Sequence, residues 1–448
     1  MKKLFGTDGI RGTANRHPMT PEVALSLGQA IAFHFARKKG GGRIVIGKDT
    51  RRSSYMFELA LSAGISSMGS VSILTGPLPT PGIAFITTAM RADAGVVISA
   101  SHNGFQDNGI KFFDHEGFKL PDEVELQMEE FIFSPHEDSI RPTGGDIGRA
   151  LRIEDATGRY AEFLKSTFPK NLNLKGLKIV VDCANGAAYN VAPLVLSEMD
   201  AEVIPIGVHP TGTNINFNCG ALYPQGMAEA VKREKAHLGI ALDGDADRLI
   251  LCDEKGQILN GDSVLALCAI ERKREKKLAG NLVVGTILSN MGLQVYLKEH
   301  GIEFVRTAVG DRYIIEEMRR TGATVGGEPS GHLIFSDLST TGDGLLAALQ
   351  VLACMVKTGK PLSELAHQMP LYPQKEKNIP VKEKKELSTI KPLTKELKAI
   401  DELLSGKGRV VLRYSGTEPL LRLMVEAEGE ALVTQSFDRI SRCIQQNL

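Results

Sequence analysis

Three aspartates at alternate positions form the most distinctive group of reactive side chains in this sequence. Asp243, Asp245 and Asp247 lie between two apolar runs, 238–242 and 249–252, that are typical of buried strands. Carboxylates this close repel one another unless a cation lies among them. A compact set of oxygen ligands that leaves positions open for a substrate suits Mg²⁺, so the pattern predicts a magnesium site.

A calcium-binding EF-hand is the closest alternative for this acidic loop, because Glu254 lies at the twelfth position of the EF-hand pattern. The sixth position of that pattern requires glycine for a sharp turn, and here it is Arg248. The flanking runs also lack a helical period. We therefore predict strands on both sides of the loop, with a solvated acidic turn as the remaining alternative.

A second segment places a small hydroxyl among hydrogen-bonding and cationic groups. Ser101, His102 and Asn103 follow the short apolar run 94–98, and Lys111 comes soon after. In α/β folds, ligands collect where such strands end. This chemistry favours a serine that carries a phosphoryl group, and turn chemistry at the end of a strand is the alternative.

A glycine-rich loop, 326–332, carries one acid, one hydroxyl and one imidazole between apolar strands. These groups are Glu328, Ser330 and His332, and they can exchange hydrogen bonds with sugar hydroxyls. The glycines let the backbone approach a ligand closely. A single histidine is usually structural, so this loop alone is weak evidence for a binding site.

The last chemical segment lies near the C-terminus, where Arg413 and Arg422 flank a Ser-Gly-Thr turn. Guanidinium groups match phosphate oxygens with paired hydrogen bonds, and such a turn can form an anion-binding nest. The apolar runs 410–412 and 420–425 predict the two strands of a hairpin. We expect the hairpin to be the scaffold and its tip to bind phosphate.

These four segments, in this order, resemble the alpha-D-phosphohexomutase superfamily over essentially the whole chain. Further matching stretches are 5–12, 47–51, 79–81, 182–187 and 309–313. Within the superfamily the chain is most similar to the enzymes that act on glucosamine phosphates. The resemblance implies an isomerase that interconverts glucosamine 6-phosphate and glucosamine 1-phosphate through a phosphoserine and a bisphosphorylated intermediate. That reaction lies on the route to UDP-N-acetylglucosamine and the cell wall.

The resemblance also implies roles for single residues. Ser101 would be the phosphorylated serine, and its phosphate oxygen would complete a site for one Mg²⁺ per chain with Asp243, Asp245 and Asp247. The residues expected to contact the substrate are Arg248, Glu328, Ser330, Arg413, Ser415, Gly416, Thr417 and Arg422. Among these, the acid and hydroxyl of the glycine-rich loop would bind sugar hydroxyls, and the C-terminal residues would hold the phosphate that does not react.

The transfer also requires a group that takes the proton from the attacking hydroxyl and returns one to the serine oxygen. Lys111 and His332 are the candidates, and Arg11 and His102 would polarise nearby oxygens. Lys111 would need a lowered pKa to act as a base. A purely electrostatic contact between Lys111 and phosphate is the alternative.

Two positions depart from the usual pattern of the superfamily. Gly104 follows Ser-His-Asn where proline is common, and Ala221 follows Cys-Gly where serine is common. Glycine gives the backbone more freedom than proline. We therefore expect a more flexible serine loop with the same chemistry.

Composition agrees with a cytoplasmic enzyme that binds a small anionic substrate. Among 448 residues, 53 are Lys or Arg and 53 are Asp or Glu, so no net field favours nucleic acid or membrane partners. The six cysteines have no paired metal spacing, as expected of reduced thiols. Met1, Lys2 and Lys3 lead directly into the stretch 5–12, so we expect no secretion signal, and no apolar run approaches membrane-spanning length. We expect a monomer or a homodimer.

Alternating strand-like and helix-like stretches predict an α/β protein with parallel or mixed sheets. We expect three α/β domains and a smaller C-terminal α+β domain around a central cleft, to which each contributes one chemical loop. The expected domains, which hold the phosphoserine, metal, sugar and phosphate loops in turn, are 1–150, 151–256, 257–368 and 369–448. Segment 369–377 is the expected hinge of the last domain.

Three alternative functions stay open. A mutase of the same superfamily that acts on glucose or mannose phosphates would share the catalytic residues and differ in how it recognises the sugar. A metal-dependent sugar phosphatase would release phosphate instead of returning it. A sugar phosphate sensor would need none of the serine, lysine and aspartate chemistry, which argues against it.

Overall fold

The structure, a computed structural model, describes residues 4–6, 8–35, 41–366, 368–381, 383–415 and 419–447. Its strands form four sheets, of six, five, four and three strands, which follow one another along the chain. We refer to them as the first to the fourth sheet. The prediction of an α/β protein with a smaller C-terminal domain is confirmed.

The first sheet holds the strands on which the serine segment is built. Its order is β1-β5-β4-β2-β3-β6, with β2, β3, β4 and β6 parallel and β5 antiparallel to β4 and β1. The elements of this part are β1 (Ile10–Thr13), α1 (Pro21–His34), β2 (Arg43–Lys48), α2 (Arg52–Ser67), β3 (Val71–Pro77), α3 (Thr80–Ala89), β4 (Ala94–Ile98), β5 (Asp107–Asp114), α4 (Asp122–Phe133) and β6 (Ala150–Arg152).

The second sheet presents the acidic loop. Its order is β11-β10-β9-β7-β8, and β9 pairs antiparallel with β10 on either side of the loop. The elements are α5 (Ala156–Ser166), β7 (Lys178–Asp182), α6 (Val191–Glu198), β8 (Glu202–Ile206), α7 (Gln225–Glu234), β9 (Leu238–Leu242), β10 (Leu249–Asp253) and β11 (Ile258–Leu259). Strands therefore flank the loop as predicted, which excludes the EF-hand.

The third sheet has the order β13-β12-β14-β15, and the glycine-rich loop connects β14 to β15. Its core helix α11 is apolar on nearly every side and is buried along most of its length. The elements are α8 (Gly261–Arg274), β12 (Leu282–Thr286), α9 (Met291–Glu299), β13 (Glu303–Thr307), α10 (Asp311–Thr321), β14 (Val325–Gly327), β15 (Leu333–Phe335), α11 (Gly344–Thr358) and α12 (Leu362–Ala366).

The fourth sheet is antiparallel, with the order β16-β18-β17, and it has its own small core. The predicted hairpin is confirmed, and its register places Arg413 opposite Arg422. The elements are β16 (Gln374–Pro380), α13 (Lys391–Leu404), β17 (Gly408–Tyr414), β18 (Leu420–Ala427) and α14 (Glu430–Asn447).

Side-chain caps fix the starts of helices near the site. Thr20 accepts a hydrogen bond from the Val23 amide at the start of α1, and Asp343 accepts one of 2.9 Å from the Leu346 amide at the start of α11. Tyr160 donates a 2.7 Å hydrogen bond to the other oxygen of Asp343. The second and third parts of the chain are therefore joined by a buried polar contact as well as by a shared apolar core.

The exact domain boundaries stay a prediction. β6 pairs in parallel with β3 in the first sheet, and the expected boundary after residue 150 falls inside this strand. All six cysteines are free thiols. Across the described ranges, every helix is too short or too polar to cross a membrane.

Candidate active site

Ser101 lies three residues beyond the end of β4, where the sequence placed it. Its hydroxyl donates a 2.6 Å hydrogen bond to Asp243 Oδ2, and its amide donates one of 2.9 Å to Ser99 Oγ. The serine is 2% exposed and has a φ of 51°, in the left-handed region that non-glycine residues rarely adopt. Such strain concentrates at functional sites, where surrounding contacts hold it in place.

The three aspartates meet as the alternating pattern predicted. One carboxylate oxygen from each lies within 4.8 Å of the others, and all three residues are buried. Asp245 Oδ1 and Asp247 Oδ1 are buried without a hydrogen-bond partner in the described parts of the chain. Buried carboxylate oxygens are normally hydrogen bonded. This set of oxygens therefore fits a divalent cation such as Mg²⁺.

The pKa values of the clustered aspartates also favour a bound cation. Burial, together with repulsion from Asp247 and Asp245, raises the pKa of Asp243 to about 8. The pKa of Asp247 is instead lowered, because Lys111, His332 and Arg248 outweigh the effect of burial. One carboxyl of the group thus resists ionisation unless a cation lies beside it.

Lys111 lies on β5 and points its ammonium group into the acidic cluster. Its Nζ is 3.2 Å from Asp245 Oδ2, 3.3 Å from Asp8 Oδ2 and 3.7 Å from Asp247 Oδ2. Burial lowers the pKa of Lys111, but these carboxylates raise it more, so the net pKa is raised. Lys111 therefore lacks the lowered pKa that it would need to act as a base, because the surroundings that bury the lysine also supply its counter-charges. Lys111 is a fixed cation here.

His102 and Arg11 are the residues expected to polarise oxygens near Ser101. His102 Nδ1 is 3.3 Å from Ser101 Oγ, and burial, helped by Arg248 and Arg11, lowers the pKa of His102 to about 4. The imidazole is therefore neutral at pH 7. Arg11, on β1, pairs with Asp8 and lines the cleft.

His332 joins the acidic loop to the glycine-rich loop. Its backbone forms an isolated bridge with Arg248, and its ring nitrogens lie 3.8 Å from Asp247 Oδ2 and 3.6 Å from Asp311 Oδ2. Burial lowers the pKa of His332, and these carboxylates raise it more. The ring packs on Gly342, where a Cβ would collide with it. His332 is thus held against the metal loop.

Glu328 lines the same cleft, and Ser330 is an exposed residue of the same loop. The Gly310 amide donates a 3.0 Å hydrogen bond to Glu328 Oε1, and Ser330 Oγ lies 3.5 Å from Glu328 Oε2. Arg248 donates its backbone amide to Asp243 at 3.2 Å. Its side chain remains on the cleft wall.

The last hairpin carries the remaining predicted groups that the structure describes. Arg422 donates a 3.4 Å hydrogen bond to Ser415 Oγ, and Lys384 donates one of 2.6 Å to the Ser415 carbonyl. Burial and the facing Arg422 lower the pKa of Arg413. Two facing guanidiniums repel each other, and a bound anion would relieve that repulsion. The pair is therefore typical of an anion-binding site. Gly416 and Thr417 lie outside the described residues.

A cleft of about 560 Å³ lies between the serine, metal and sugar loops. Residues from three of the four sheets line it: Leu4, Gly6, Asp8, Gly9, Arg11, Ser101, Asn103, Asp247, Arg248, Val309, Gly310, Asp311, Glu328 and His332. The prediction that all four domains contribute a loop to one cleft holds for the serine, metal and sugar loops. Among the described residues, the C-terminal hairpin contributes none to this lining, although the Glu328 carboxylate acts on the pKa of Arg413.

Several polar residues that contact the site were not predicted from the sequence. Lys119 donates hydrogen bonds to Asp8 and, at 2.5 Å, to Asp311, and so links the first part of the chain to the third. Thr80 donates a 2.7 Å hydrogen bond to Asp245 Oδ2. Asp8, Thr80 and Asp311 lie in stretches that were matched to the superfamily, so their polar side chains could have been identified as site residues from the sequence. Lys119 lies outside those stretches.

Comparison with known proteins agrees with this geometry. Four domain profiles of the phosphoglucomutase/phosphomannomutase family match successive parts of the chain. Alpha/beta/alpha domains I, II and III and the C-terminal domain match residues 2–139, 158–256, 260–372 and 376–442 respectively. The matches cover most of the chain in the order in which its four sheets occur.

Two curated relatives are similar over the full chain. A phosphoglucosamine mutase of Syntrophotalea carbinolica is 56% identical over 448 residues, which cover 100% of this chain and 98% of the relative. A phosphoglucosamine mutase of a Geobacter species is 58% identical, with 100% and 99% covered.

Solved structures share the fold. A phosphoglucomutase/phosphomannomutase family protein of Burkholderia thailandensis superposes with a TM-score of 0.81 at 25% identity and covers 99% of this chain and 97% of its own. An N-acetylphosphoglucosamine mutase of Aspergillus fumigatus, at 18% identity and a TM-score of 0.68 over 99% and 96% of the two chains, shows the fold alone. The resemblance inferred from the motifs is confirmed. The chain therefore belongs to the phosphoglucomutase/phosphomannomutase family of phosphohexomutases, isomerases that act as intramolecular phosphotransferases.

Proposed function

We propose that this protein interconverts glucosamine 6-phosphate and glucosamine 1-phosphate, with Ser101 as the temporary carrier of the phosphoryl group. The observation that carries this proposal is the 2.6 Å hydrogen bond between the Ser101 hydroxyl and Asp243, one of three clustered and buried aspartates. The full-length relatives named phosphoglucosamine mutase, at 56% and 58% identity, support the amino sugar as substrate.

The reaction consists of two transfers through the same serine. The phosphoryl group leaves phosphorylated Ser101 as its bond to Oγ breaks and a bond to the free sugar hydroxyl forms, which gives a sugar bisphosphate. The intermediate then turns end for end in the cleft and returns its other phosphoryl group to Ser101. Each transfer needs in-line positioning and neutralisation of charge on the transferring group.

The chain's own residues supply much of that neutralisation. Lys111 is a buried cation 3.2 Å from Asp245, so it would lie close to a phosphoryl group carried by Ser101 at the metal loop. Asp243, Asp245, Asp247 and the phosphoserine oxygen would hold one Mg²⁺, which when bound would neutralise the same charge as a Lewis acid. The unpartnered oxygens of Asp245 and Asp247 support this assignment.

His332 is our candidate for proton exchange with the sugar hydroxyl. Its Nε2 has no hydrogen-bond partner within the ranges that the structure describes, and the residue lines the cleft. His102 and Arg11 would polarise the serine and phosphate oxygens. The raised pKa of Lys111 supports the electrostatic role for that residue and not the role of a base.

Two groups of side chains would hold the sugar phosphate. Glu328 and Ser330 would bind hydroxyls at the cleft mouth, and Arg248 would steady the phosphoserine or the acidic loop. The phosphate that does not react would be held by Arg413, Ser415, Gly416, Thr417 and Arg422. The facing pair of guanidiniums on the hairpin supports this role.

We keep segment 369–377 as the hinge on which the last domain closes over the substrate. Tyr372 is fixed to the third part of the chain by two hydrogen bonds with the Asn290 side chain, of 2.9 and 3.1 Å. Residues 374–377 of the segment already belong to β16 and pair with β18, so bending would be confined to 369–373, next to this anchor. Closure would exclude water from the phosphoserine, which a mutase needs in order to avoid acting as a phosphatase.

A cytoplasmic location and a monomeric or homodimeric state complete the proposal. The six free thiols are consistent with a reducing compartment. Size-exclusion chromatography with light scattering would distinguish the two states.

The test compares turnover of glucosamine, glucose and mannose 6-phosphates with release of free phosphate, in wild type and in Ser101→Ala. We expect isomer formation to be fastest with the glucosamine phosphate, to exceed phosphate release, and to vanish in Ser101→Ala. Faster isomerisation of glucose or mannose phosphate would reassign the sugar. Phosphate release in excess of isomer formation would instead identify a phosphatase.

A further inference from the structure

The loop that carries Ser101 rests on a buried arginine. Arg51 is 0% exposed and is among the largest fully buried side chains of the described chain. Its charge is balanced by Asp49, whose side chain is also 0% exposed. Neither residue lines the cleft, and neither touches the three aspartates in the described contacts.

The guanidinium of Arg51 binds the backbone of the serine loop at several points. It donates hydrogen bonds of 3.0 Å to the Ser101 carbonyl, 2.6 Å to the Asn103 carbonyl and 3.5 Å to the Gly104 carbonyl. A further contact of 3.4 Å reaches Ser99 Oγ, which itself accepts the Ser101 amide. The planar fork thus fixes the whole turn that follows β4.

A second donor reaches the same carbonyls from another part of the chain. Asn216, which is 6% exposed, donates its side-chain amide to the Ser101 carbonyl at 2.8 Å and to the Asn103 carbonyl at 2.9 Å. Asn216 lies 115 residues from Ser101 in the sequence, in the part that contributes the metal loop. The carbonyls of Ser101 and Asn103 are therefore each held by two buried donors.

This double support matters because the loop conformation is unfavourable by itself. Ser101 has a φ of 51°, and Gly104 has no side chain to restrict its own backbone. The hydroxyl reaches Asp243 from this strained conformation, and hydrogen bonds to the Ser101 and Asn103 carbonyls restrict the backbone dihedrals of the loop that maintain it. External donors must therefore hold it.

We propose that Arg51 and Asn216 are positioning residues that fix the phosphoryl-carrying serine in line with the metal loop. The inference rests on the proposed role of Ser101. Both residues would act through the backbone of the serine loop, and neither lines the cleft among the described residues. Their loss should slow the transfer step and leave sugar binding largely intact, because the sugar is held by other loops.

A purely structural role is the alternative to exclude. The neighbours of Arg51 also join the first and second parts of the chain: Thr50 donates a 2.5 Å hydrogen bond to the Asn185 carbonyl, and the Arg52 amide donates one of 2.9 Å to the Gly212 carbonyl. Loss of Arg51 could therefore simply loosen this junction. Rate constants for correctly folded protein, not stability alone, distinguish the two roles.

The test measures kcat, KM and phosphoserine content in Arg51→Lys and Asn216→Ala. Lysine keeps the positive charge beside Asp49 and loses the fork. Each substitution has a matched control on an exposed side chain: Arg52→Lys repeats the first change one residue away. Asn218→Ala repeats the second at a residue with a φ of 53°, close to the 58° of Asn216.

We expect kcat to fall about 100-fold in each test variant, as for an ångström-scale misplacement of a reacting group. KM should stay within about threefold of wild type, and the controls should retain kcat within about twofold. The double variant Arg51→Lys/Asn216→Ala should lose less than the product of the single losses, because both residues act on the same two carbonyls.

Unchanged kcat in folded Arg51→Lys and Asn216→Ala would overturn the inference, and so would a loss explained wholly by the unfolded fraction. If Arg51→Lys fails to fold, Asn216→Ala decides alone, because it removes no buried charge. Failure of the proposed function is a separate result: Ser101→Ala would then keep activity. If Ser101→Ala is inactive while Arg51→Lys and Asn216→Ala keep the wild-type kcat, only this inference is overturned and the proposed function stands.

Discussion

Ser101 and Asp243, 142 positions apart in the sequence, are joined by a 2.6 Å hydrogen bond from the serine hydroxyl to the aspartate. The bond connects a loop of the first sheet to a loop of the second, so the site exists only when these two parts are docked. Burial alone raises the pKa of such a carboxyl, and Asp243 has its repelling neighbours as well. A bound cation relieves this repulsion.

Removal of one metal acid should abolish the thermal stabilisation that Mg²⁺ gives. In wild type we expect Mg²⁺ to raise Tm by mass action, since folded protein binds it better than the unfolded chain. Asp245→Asn should lose this shift and lose isomerase activity. The exposed Asp138→Asn is the control and should keep both. An equal Mg²⁺-dependent shift in Asp245→Asn, measured by differential scanning calorimetry, would contradict the assigned site.

Lys111→Met should lose most of its activity and should be less stable without metal. The substitution leaves the carboxylates of Asp8, Asp245 and Asp247 without their shared cation. We expect kcat to fall about 10²- to 10³-fold and the free energy of unfolding to fall by about 3 kcal/mol. Urea denaturation and steady-state kinetics measure the two effects. Lys170→Met, on an exposed side chain, should change neither; full activity in Lys111→Met would remove the lysine from the mechanism.

The hairpin guanidiniums should act on substrate binding and not on the serine. Arg422→Met is expected to raise KM for the sugar phosphate at least about tenfold, because a charge-assisted phosphate contact is lost. Phosphoserine content by intact mass should match wild type. The exposed Arg442→Met serves as the matched control. A normal KM with reduced phosphoserine content would instead place Arg422 at the transfer step.

These residues show what the sequence could and could not predict. Three segments were predicted correctly as loops between strands: the acidic loop, the serine loop and the hairpin. In each, closely spaced reactive residues lie next to apolar runs with the periodicity of strands, and this local pattern was enough for the prediction. Contacts such as Thr80 with Asp245, or Lys119 with Asp8 and Asp311, join distant parts of the chain. No local pattern encodes such a contact, because it depends on how the domains dock.

The pKa of Lys111 also depends on contacts between distant parts of the chain, which the sequence does not reveal. Burial by itself lowers the pKa of a lysine, and the sequence left open whether Lys111 acts as a base or as an electrostatic contact with phosphate. The tertiary structure supplies three carboxylates around the ammonium group, and their attraction reverses the sign. Charge balance in a buried cluster is a property of the assembled site.

A buried acid away from the cleft gives a prediction on pH and stability. Asp262 is 1% exposed, and burial raises its pKa to about 7 although the Asn290 amide donates a hydrogen bond to it. Between about pH 4 and 7 the folded state keeps this proton and the unfolded state has lost it, so stability contributed at Asp262 falls as pH rises. Asp262→Asn, which mimics the protonated acid, should remove this slope and stabilise the protein at pH 8 by about 1–3 kcal/mol. Urea denaturation at several pH values measures it, and an unchanged slope would show that Asp262 is ionised in the fold.

The most direct measurement follows one labelled phosphoryl group through a single turnover. Protein carrying the label on Ser101 is mixed with unlabelled glucosamine 6-phosphate and quenched at successive times. Our account predicts that the label passes first to a sugar bisphosphate and then to sugar monophosphate, with little free phosphate and no label on Ser101→Ala. Label that stays on the protein while isomer accumulates, or that leaves only as free phosphate, would contradict it.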